Sequence, residues 1–192
     1  NNAYLLVCPE TNESIIIDTP PEPSQLIMTA ETTKVKVILI THNHPDHIQG
    51  LDEVTSVIKA PVSIGKADSH VLKDAIDFSI EDGQEITAGT IRLKAISTPG
   101  HTAGSTCFKF RKHLFTGDTL FPGGPGKTGS PETFKQIIKS ITRKLFTLDD
   151  KITVYPGHGD DSELKTAKQE YKSFMAKEHR GDLCGDVLWL KD

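Results

Sequence analysis

The feature that most constrains this chain is a short apolar run that ends in a cluster of metal-binding side chains. Val35-Lys36-Val37-Ile38-Leu39-Ile40 leads directly into Thr41-His42-Asn43-His44-Pro45-Asp46-His47. The run is mostly β-branched and too short for a typical helix, so it reads as a buried strand. His42, His44, Asp46 and His47 then lie on the loop at its end. Imidazole suits zinc and iron(II), and a carboxylate adds a harder oxygen donor. A loop at a strand end is held by a rigid scaffold and stays open to solvent. Gathering three histidines and an aspartate in one tight turn costs free energy if they have no partner. A metal therefore explains the motif better than a polar turn does.

The rest of the chain supplies a scaffold for such a strand. Ala3 to Cys8 and Ser14 to Asp18 read as strands joined by the turn Pro9-Glu10-Thr11-Asn12-Glu13. Asp18, at the end of the second, is either an exposed carboxylate or a brace behind the metal loop. Pro23 to Glu31 reads as a helix entered through Ser24. His47 to Ile58 reads as another, with Ile48, Leu51, Val54, Val57 and Ile58 on one face. Gly50 inside it points to close packing against the loop. Pro61 to Ile64 is a short strand and Lys66 to Asp74 a helical segment. After the Asp82-Gly83 turn, Thr90 to Ser97, Ser105 to Phe110 and His113 to Thr116 look like antiparallel strands with one solvated face each. Phe134 to Phe146 is an amphipathic helix, Ile152 to Tyr155 a strand, and Ser162 to about Lys177 a helix. Strand-rich segments followed by helices suggest two packed sheets with helices outside, in an α/β fold. With 192 residues and no Pro-, Gly- or Ser-rich linker, one domain over residues 1–192 is expected.

Three later turns repeat the arrangement of a polar ligand just past a strand, each flanked by small residues that let the backbone turn sharply. They are Thr98-Pro99-Gly100-His101-Thr102-Ala103-Gly104-Ser105, Phe115-Thr116-Gly117-Asp118-Thr119-Leu120-Phe121 and Tyr155-Pro156-Gly157-His158-Gly159. One such turn is weak evidence; three beside a His-x-His-x-Asp-His loop make a joint signal.

With these motifs the chain resembles the metallo-β-lactamase-fold hydrolases, over essentially its whole length. Within them it is most similar to the glyoxalase II (hydroxyacylglutathione hydrolase) branch. The resemblance implies a four-layer αβ/βα sandwich with two divalent ions at one sheet edge, zinc first and iron or manganese as alternatives. It implies that His42, His44 and His101 hold one ion, that Asp46, His47 and His158 hold the other, and that Asp118 bridges them. Asp46 and Asp118 would lower the net charge of the ion pair. A metal-bound hydroxide would then attack a small ester-type substrate, a thioester being the first choice. A thiolate of pKa near ~8.5 needs little protonation to leave, which suits a sequence offering no separate general acid.

The departures from the family are equally informative. β-Lactamases of the commonest subclass carry Cys where this chain has Asp118. The helical C-terminal domain of full-length glyoxalase II has no counterpart before Asp192, so much of the usual glutathione grip is expected to be missing. Phe121-Pro122-Gly123-Gly124-Pro125-Gly126-Lys127 resembles the glycine-rich loop whose basic residue meets a substrate carboxylate. Lys127 is the candidate anchor, an ordinary surface lysine the alternative, and Gly129 stands where the family often has an aromatic. The glycines predict a mobile lid over Pro122 to Ser130. A one-iron persulfide dioxygenase-like enzyme would use only His42, His101 and Asp118, but its relatives continue Arg-Thr-Asp where this chain has Lys127-Thr128-Gly129-Ser130. A non-catalytic metal-binding module would tolerate gaps among the ligands, and none is present.

Charge and cysteine content narrow the remaining classes. A net charge of −4 offers no basic field for nucleic acid or anionic lipid, and no apolar run approaches the ~20 residues of a membrane span. The expected partner is a small molecule, possibly a glutathione thioester. Cys8, Cys107 and Cys184 form no Cys-x-x-Cys pair and read as buried free thiols in a reducing, cytoplasmic setting. The chain begins Asn1-Asn2-Ala3 without Met, so an upstream segment is not excluded. His70, His113 and His179 lack ligand context and are expected at the surface.

Overall fold

The computed structural model describes residues 1–190. A first sheet contains β1 (Tyr4–Val7), β2 (Glu13–Ile17), β3 (Lys34–Ile40), β4 (Val62–Gly65) and β5 (Phe78–Ile80), hydrogen-bonded in that order. Helix α1 (Ser24–Ala30) joins β2 to β3, and α2 (Pro45–Ile48) and α3 (Leu51–Val57) lie between β3 and β4. The second sheet contains β6 (Glu85–Ala88), β7 (Ile91–Ser97), β8 (Thr106–Phe110) and β9 (His113–Gly117). After the small hairpin of β10 (Leu120–Phe121) and β11 (Gly124–Pro125), α4 (Pro131–Ser140) leads to β12 (Thr153–Pro156). The short β13 (Ser162–Glu163) and α5 (Leu164–Met175) complete the order, and the sheet reads β13-β12-β9-β8-β7-β6.

Side-chain alternation sorts these elements into layers. In β3, Val37 and Leu39 join Ile15, Ile17, Ile91, Leu93, Ala95, Phe108 and Phe115 in a core between the sheets. Ile38 and Ile40 face the other way and pack with Ile27, Ala30, Leu51 and Val54 of α1 and α3. On the far side of the second sheet, Cys107, Leu114 and Val154 pack with Phe134, Ile137, Leu164, Phe174 and Trp189. The second half of β3, Val37 to Ile40, is buried on both faces and continuously apolar, as parallel strands covered on both sides are. Three separate apolar clusters under and between two sheets make the four-layer αβ/βα sandwich.

Local chemistry changes several expected boundaries. The helix expected over His47 to Ile58 is two helices. Pro45 opens α2 at the position where its missing N–H costs nothing. Gly50 lies between them, packed so close that a Cβ there would lie 2.0 Å from the Pro20 carbonyl oxygen. Lys66 to Ala75 is 3₁₀ rather than α-helical. Helix α4 starts three residues earlier than expected, at Pro131, where Ser130 and Thr133 form a reciprocal cap, and continues into a wide turn over Ile141–Leu145. Ser162 and Glu163 pair with β12 instead of opening α5. The edge strands β5 and β6 are too short to carry a periodic signal.

The expected lid is tied down. Gly123 N–H donates to Glu170 at 3.0 Å, Trp189 N–H donates to the Gly123 carbonyl at 2.8 Å, and Thr128 pairs with Gly185 in both directions. Cys8 and Cys107 are buried thiols, but Cys184 is exposed, next to Gly185, whose backbone pairs with Thr128. His70 and His179 are exposed as expected. His113 is half-buried against Tyr155, with Nδ1 3.1 Å from the hydroxyl.

Gly50→Ala separates propensity from packing. Alanine is the better helix former by ~1 kcal/mol, but the clash with backbone at Pro20 should dominate and lower stability by about 1–3 kcal/mol. A thermal melt should show the midpoint several degrees below wild type. An unchanged or raised midpoint would contradict the packing account.

Candidate metal centre

Strand direction brings the four ligand turns together. β7 is antiparallel to β8, β8 is antiparallel to β9, and β9 is parallel to β12, so β7, β9 and β12 end on one edge. His101, Asp118 and His158 each follow one of these ends. The turn after β3 meets them there: Thr106 N–H donates to the Thr41 carbonyl at 2.9 Å. Three groups of side chains result, His42/His44/His101, His42/His47/Asp118 and Asp46/His47/His158, each with its ligand atoms within 4.8 Å of one another. All seven residues singled out in the sequence converge on this edge. Lys127 reaches the centre through its backbone carbonyl, while the residue itself is exposed.

The hydrogen bonds fix which ring nitrogen points inward. The Thr41 hydroxyl donates to Asp18 Oδ2 at 2.8 Å, so its oxygen accepts from His42 Nδ1, 3.1 Å away. Asp18 Oδ2 also accepts from His47 Nδ1 at 2.8 Å, and Asp18 Oδ1 accepts the Thr41 N–H at 2.7 Å. The Lys127 carbonyl accepts from His101 Nδ1 at 2.7 Å. Each of these rings is thus committed on Nδ1, leaving Nε2 toward the centre. His101 Nε2 lies 2.9 Å from His44 Nδ1, so two imidazoles aim at nearly the same point. Asp18 is 1% exposed and holds a left-handed backbone (φ 62°) at the end of β2, which settles its role as the brace behind the metal loop.

Electrostatics agree with a site built for cations. His42 is pushed far toward its neutral form by burial and by the neighbouring histidines. His101 shifts the same way, with burial the largest cause. Burial also opposes charge on His47, but the carboxylates of Asp118 and Asp18 outweigh it and push its pKa up to about 10. Burial raises Asp118, yet His47 and the other imidazoles hold its carboxyl below the usual range. Three rings and a carboxylate are therefore held in a crowded, largely buried pocket. Asp46 and His158 are far more open, at 41% and 46% side-chain exposure, and lie 2.9 Å apart at the mouth.

The fit to metal ions rests on orphaned atoms. His42 Nε2, His47 Nε2 and Asp118 Oδ1 are buried without a hydrogen-bond partner, although the last two lie only 3.3 Å apart. Buried polar atoms left unpaired cost about 1–3 kcal/mol each, and three of them facing one point fit a Lewis acid. Five imidazoles and two carboxylates suit a borderline ion such as zinc.

The positioning of His158 was not legible in the sequence. Asn2 N–H donates to the Gly157 carbonyl at 2.6 Å, and Asn2 Nδ2 bonds the Pro156 and Gly159 carbonyls at 3.1 and 2.9 Å. The Tyr4 hydroxyl donates to the Pro156 carbonyl at 2.6 Å, and burial raises its pKa to about 12. These contacts span more than 150 positions, and no spacing announces them.

Comparison with known proteins places the chain. The family model described as the metallo-beta-lactamase superfamily matches residues 1–158. A probable polyketide biosynthesis zinc-dependent hydrolase of Bacillus subtilis, PksB, is 32% identical over 165 residues, which is 82% of this chain and 72% of that protein. A hydroxyacylglutathione hydrolase from a Polaromonas species is 32% identical over 82% of this chain, and the match spans 62% of its own length. The crystal structure of TTHA1623 in a di-iron-bound form superposes with a TM-score of 0.73 at 26% identity, covering 88% of this chain and 92% of that one. The edge-on cluster at the ends of β3, β7, β9 and β12 is thus carried by a chain that belongs to the metallo-beta-lactamase superfamily.

Proposed function

We propose that this chain is a binuclear metal-dependent hydrolase acting on a small ester-type substrate, with a thioester the first choice. The observation that carries the reading is the pair of ligand groups, His42/His44/His101 and Asp46/His47/His158, with Asp118 within 3.3–3.7 Å of His47, His101 and His158. His42, His44 and His101 would hold one ion and Asp46, His47 and His158 the other, with Asp118 reaching both. Zinc is the expected ion, supported by the donor set and by the zinc-dependent relative. When bound, such ions lower the pKa of coordinated water toward ~7 and polarise a substrate carbonyl.

The chain's own residues do the rest. Asp46 and Asp118 offset the charge of two cations in a confined space. Asp18 holds His47 Nδ1 and, through Thr41, His42 Nδ1, so that both rings stay in the ligating tautomer. The Lys127 carbonyl does the same for His101. The exposed pair of Asp46 and His158 marks the side from which a substrate enters. The exposed Lys127 side chain is our candidate for a point-charge anchor of a substrate carboxylate. The hydrolase is preferred over a one-iron oxygenase because the latter's relatives continue Arg-Thr-Asp where this chain has Lys127-Thr128-Gly129-Ser130.

The test combines metal content by mass spectrometry with hydrolysis of S-lactoylglutathione. Wild type should carry close to two ions per chain and turn the thioester over. Asp118→Ala should lose one ion and at least ~100-fold in activity; full retained turnover would exclude this mechanism. Asp18→Asn, which keeps the shape but can no longer accept from all three of His47 Nδ1, the Thr41 hydroxyl and the Thr41 N–H, should weaken metal binding ~10–100-fold in a chelator competition. Lys127→Ala should raise KM for glutathione thioesters with kcat little changed. A KM that stays at the wild-type value would remove Lys127 from the substrate site.

A further inference from the structure

Asp68 is a buried carboxylate that the metal reading does not use. It is 1% exposed, sits in the 3₁₀ turn over Lys66–Val71 that follows β4, and accepts three hydrogen bonds. Oδ1 takes the Gly104 N–H at 2.7 Å. Oδ2 takes the Thr102 hydroxyl at 2.6 Å and the Asn43 N–H at 3.2 Å. Asn43 stands between His42 and His44, and Thr102 follows His101 directly. One carboxylate thus ties together the two turns that carry His42, His44 and His101. Thr102 in turn meets Ser105, whose Oγ accepts its N–H at 3.0 Å, closing the His101 turn on itself.

The surroundings are shaped for this contact. A Cβ on Gly104 would lie 2.5 Å from Asp68 N and 2.6 Å from its Cγ, so only glycine lets the carboxylate approach. An ionised carboxylate is costly to bury unless its oxygens are satisfied, and here all three donors come from the two ligand turns. Removing it would leave those donors unpaired and free the turns to separate. His44 Nδ1 and His101 Nε2, which now stand 2.9 Å apart, lie on opposite sides of that junction. Asp68 hydrogen-bonds Asn43, Thr102 and Gly104 and not Asp46, His47 or His158; the His47 ring is braced by Asp18 and the His158 turn by Asn2 and Tyr4.

We propose that Asp68 is a positioning residue that sets the spacing of the His42–His44 and His101 turns. It thereby governs ion binding at the His42/His44/His101 group independently of the other group. This rests on the two-ion reading above. Carboxylates that orient ligands from behind typically change metal affinity ~10–100-fold when removed, and the effect should be confined to one of the two sites.

The experiment is a zinc titration against a chromogenic chelator on wild type, Asp68→Ala and Asp68→Asn, each also in a His158→Ala and a His44→Ala background. His158→Ala leaves the inner group whole, and there Asp68→Ala should weaken zinc ~10–100-fold. His44→Ala breaks the inner group, and there Asp68→Ala should leave the remaining affinity unchanged. Asp68→Asn keeps partners for Gly104 and Thr102 but turns an amide donor toward the Asn43 N–H or loses an acceptor. It should fall between wild type and Asp68→Ala in the first background, and it carries the test if the alanine variant does not fold. Equal losses in both backgrounds, with a lowered melting point of the zinc-free protein, would make Asp68 merely structural and overturn the proposal. Wild-type affinity in both variants would overturn it as well. A wild-type chain that takes up no more than trace zinc would instead defeat the two-ion reading, and this inference with it.

Discussion

Imidazole rings placed at the edge of an apolar sandwich can face one point only if their outer nitrogens are satisfied elsewhere. Asp18 does this for His47 directly and for His42 through Thr41, and the Lys127 carbonyl does it for His101. Without these acceptors each ring could flip or take the other tautomer, and the inward lone pairs would be lost. The remaining architecture serves that constraint. Two sheets present several strand ends on one edge, and helices cover their outer faces so that the strands can be apolar on both sides.

The centre is graded from inside to outside. His42 and His47 are fully buried, Asp118 is mostly buried, and Asp46 and His158 are open. Charge follows the same gradient: burial and like charges keep His42 neutral, while carboxylates favour the charged form of His47. An ion taking the place of that proton would satisfy the same carboxylates, which is why a cluster so unfavourable for bare histidines is coherent as a cation site. Two buried carboxylates stand behind the ligands: Asp18 holds Thr41 and His47, and Asp68 joins Asn43 to Thr102 and Gly104.

The glycine-rich stretch after Asp118 shows how tertiary contacts override local composition. Its glycines permit motion, yet Glu170, Gly185 and Trp189 hold it from the far end of the chain. Trp189 is fully buried beside Phe146 and Tyr171, anchoring the segment that supplies two of these contacts. Among the described residues no helix is long and apolar enough to cross a membrane.

The sequence by itself determined the ligands and the layers. His-x-His-x-Asp-His after an apolar strand and three small-residue turns named all seven cluster residues, because a metal site concentrates unusual side chains at short spacings. Apolar alternation in β7 likewise identified what faces the core, since a strand's period of two is local. Tertiary structure alone decided what holds those ligands. Asp18 was ambiguous at a strand end, and Asp68, Asn2 and Tyr4 carried no signal, because each acts on residues 23 to 157 positions away through one or two hydrogen bonds. The contact of Gly50 with Pro20 and the tethering of the glycine-rich stretch had the same origin: backbone from a distant turn occupies the space or supplies the partner, and no local pattern records it.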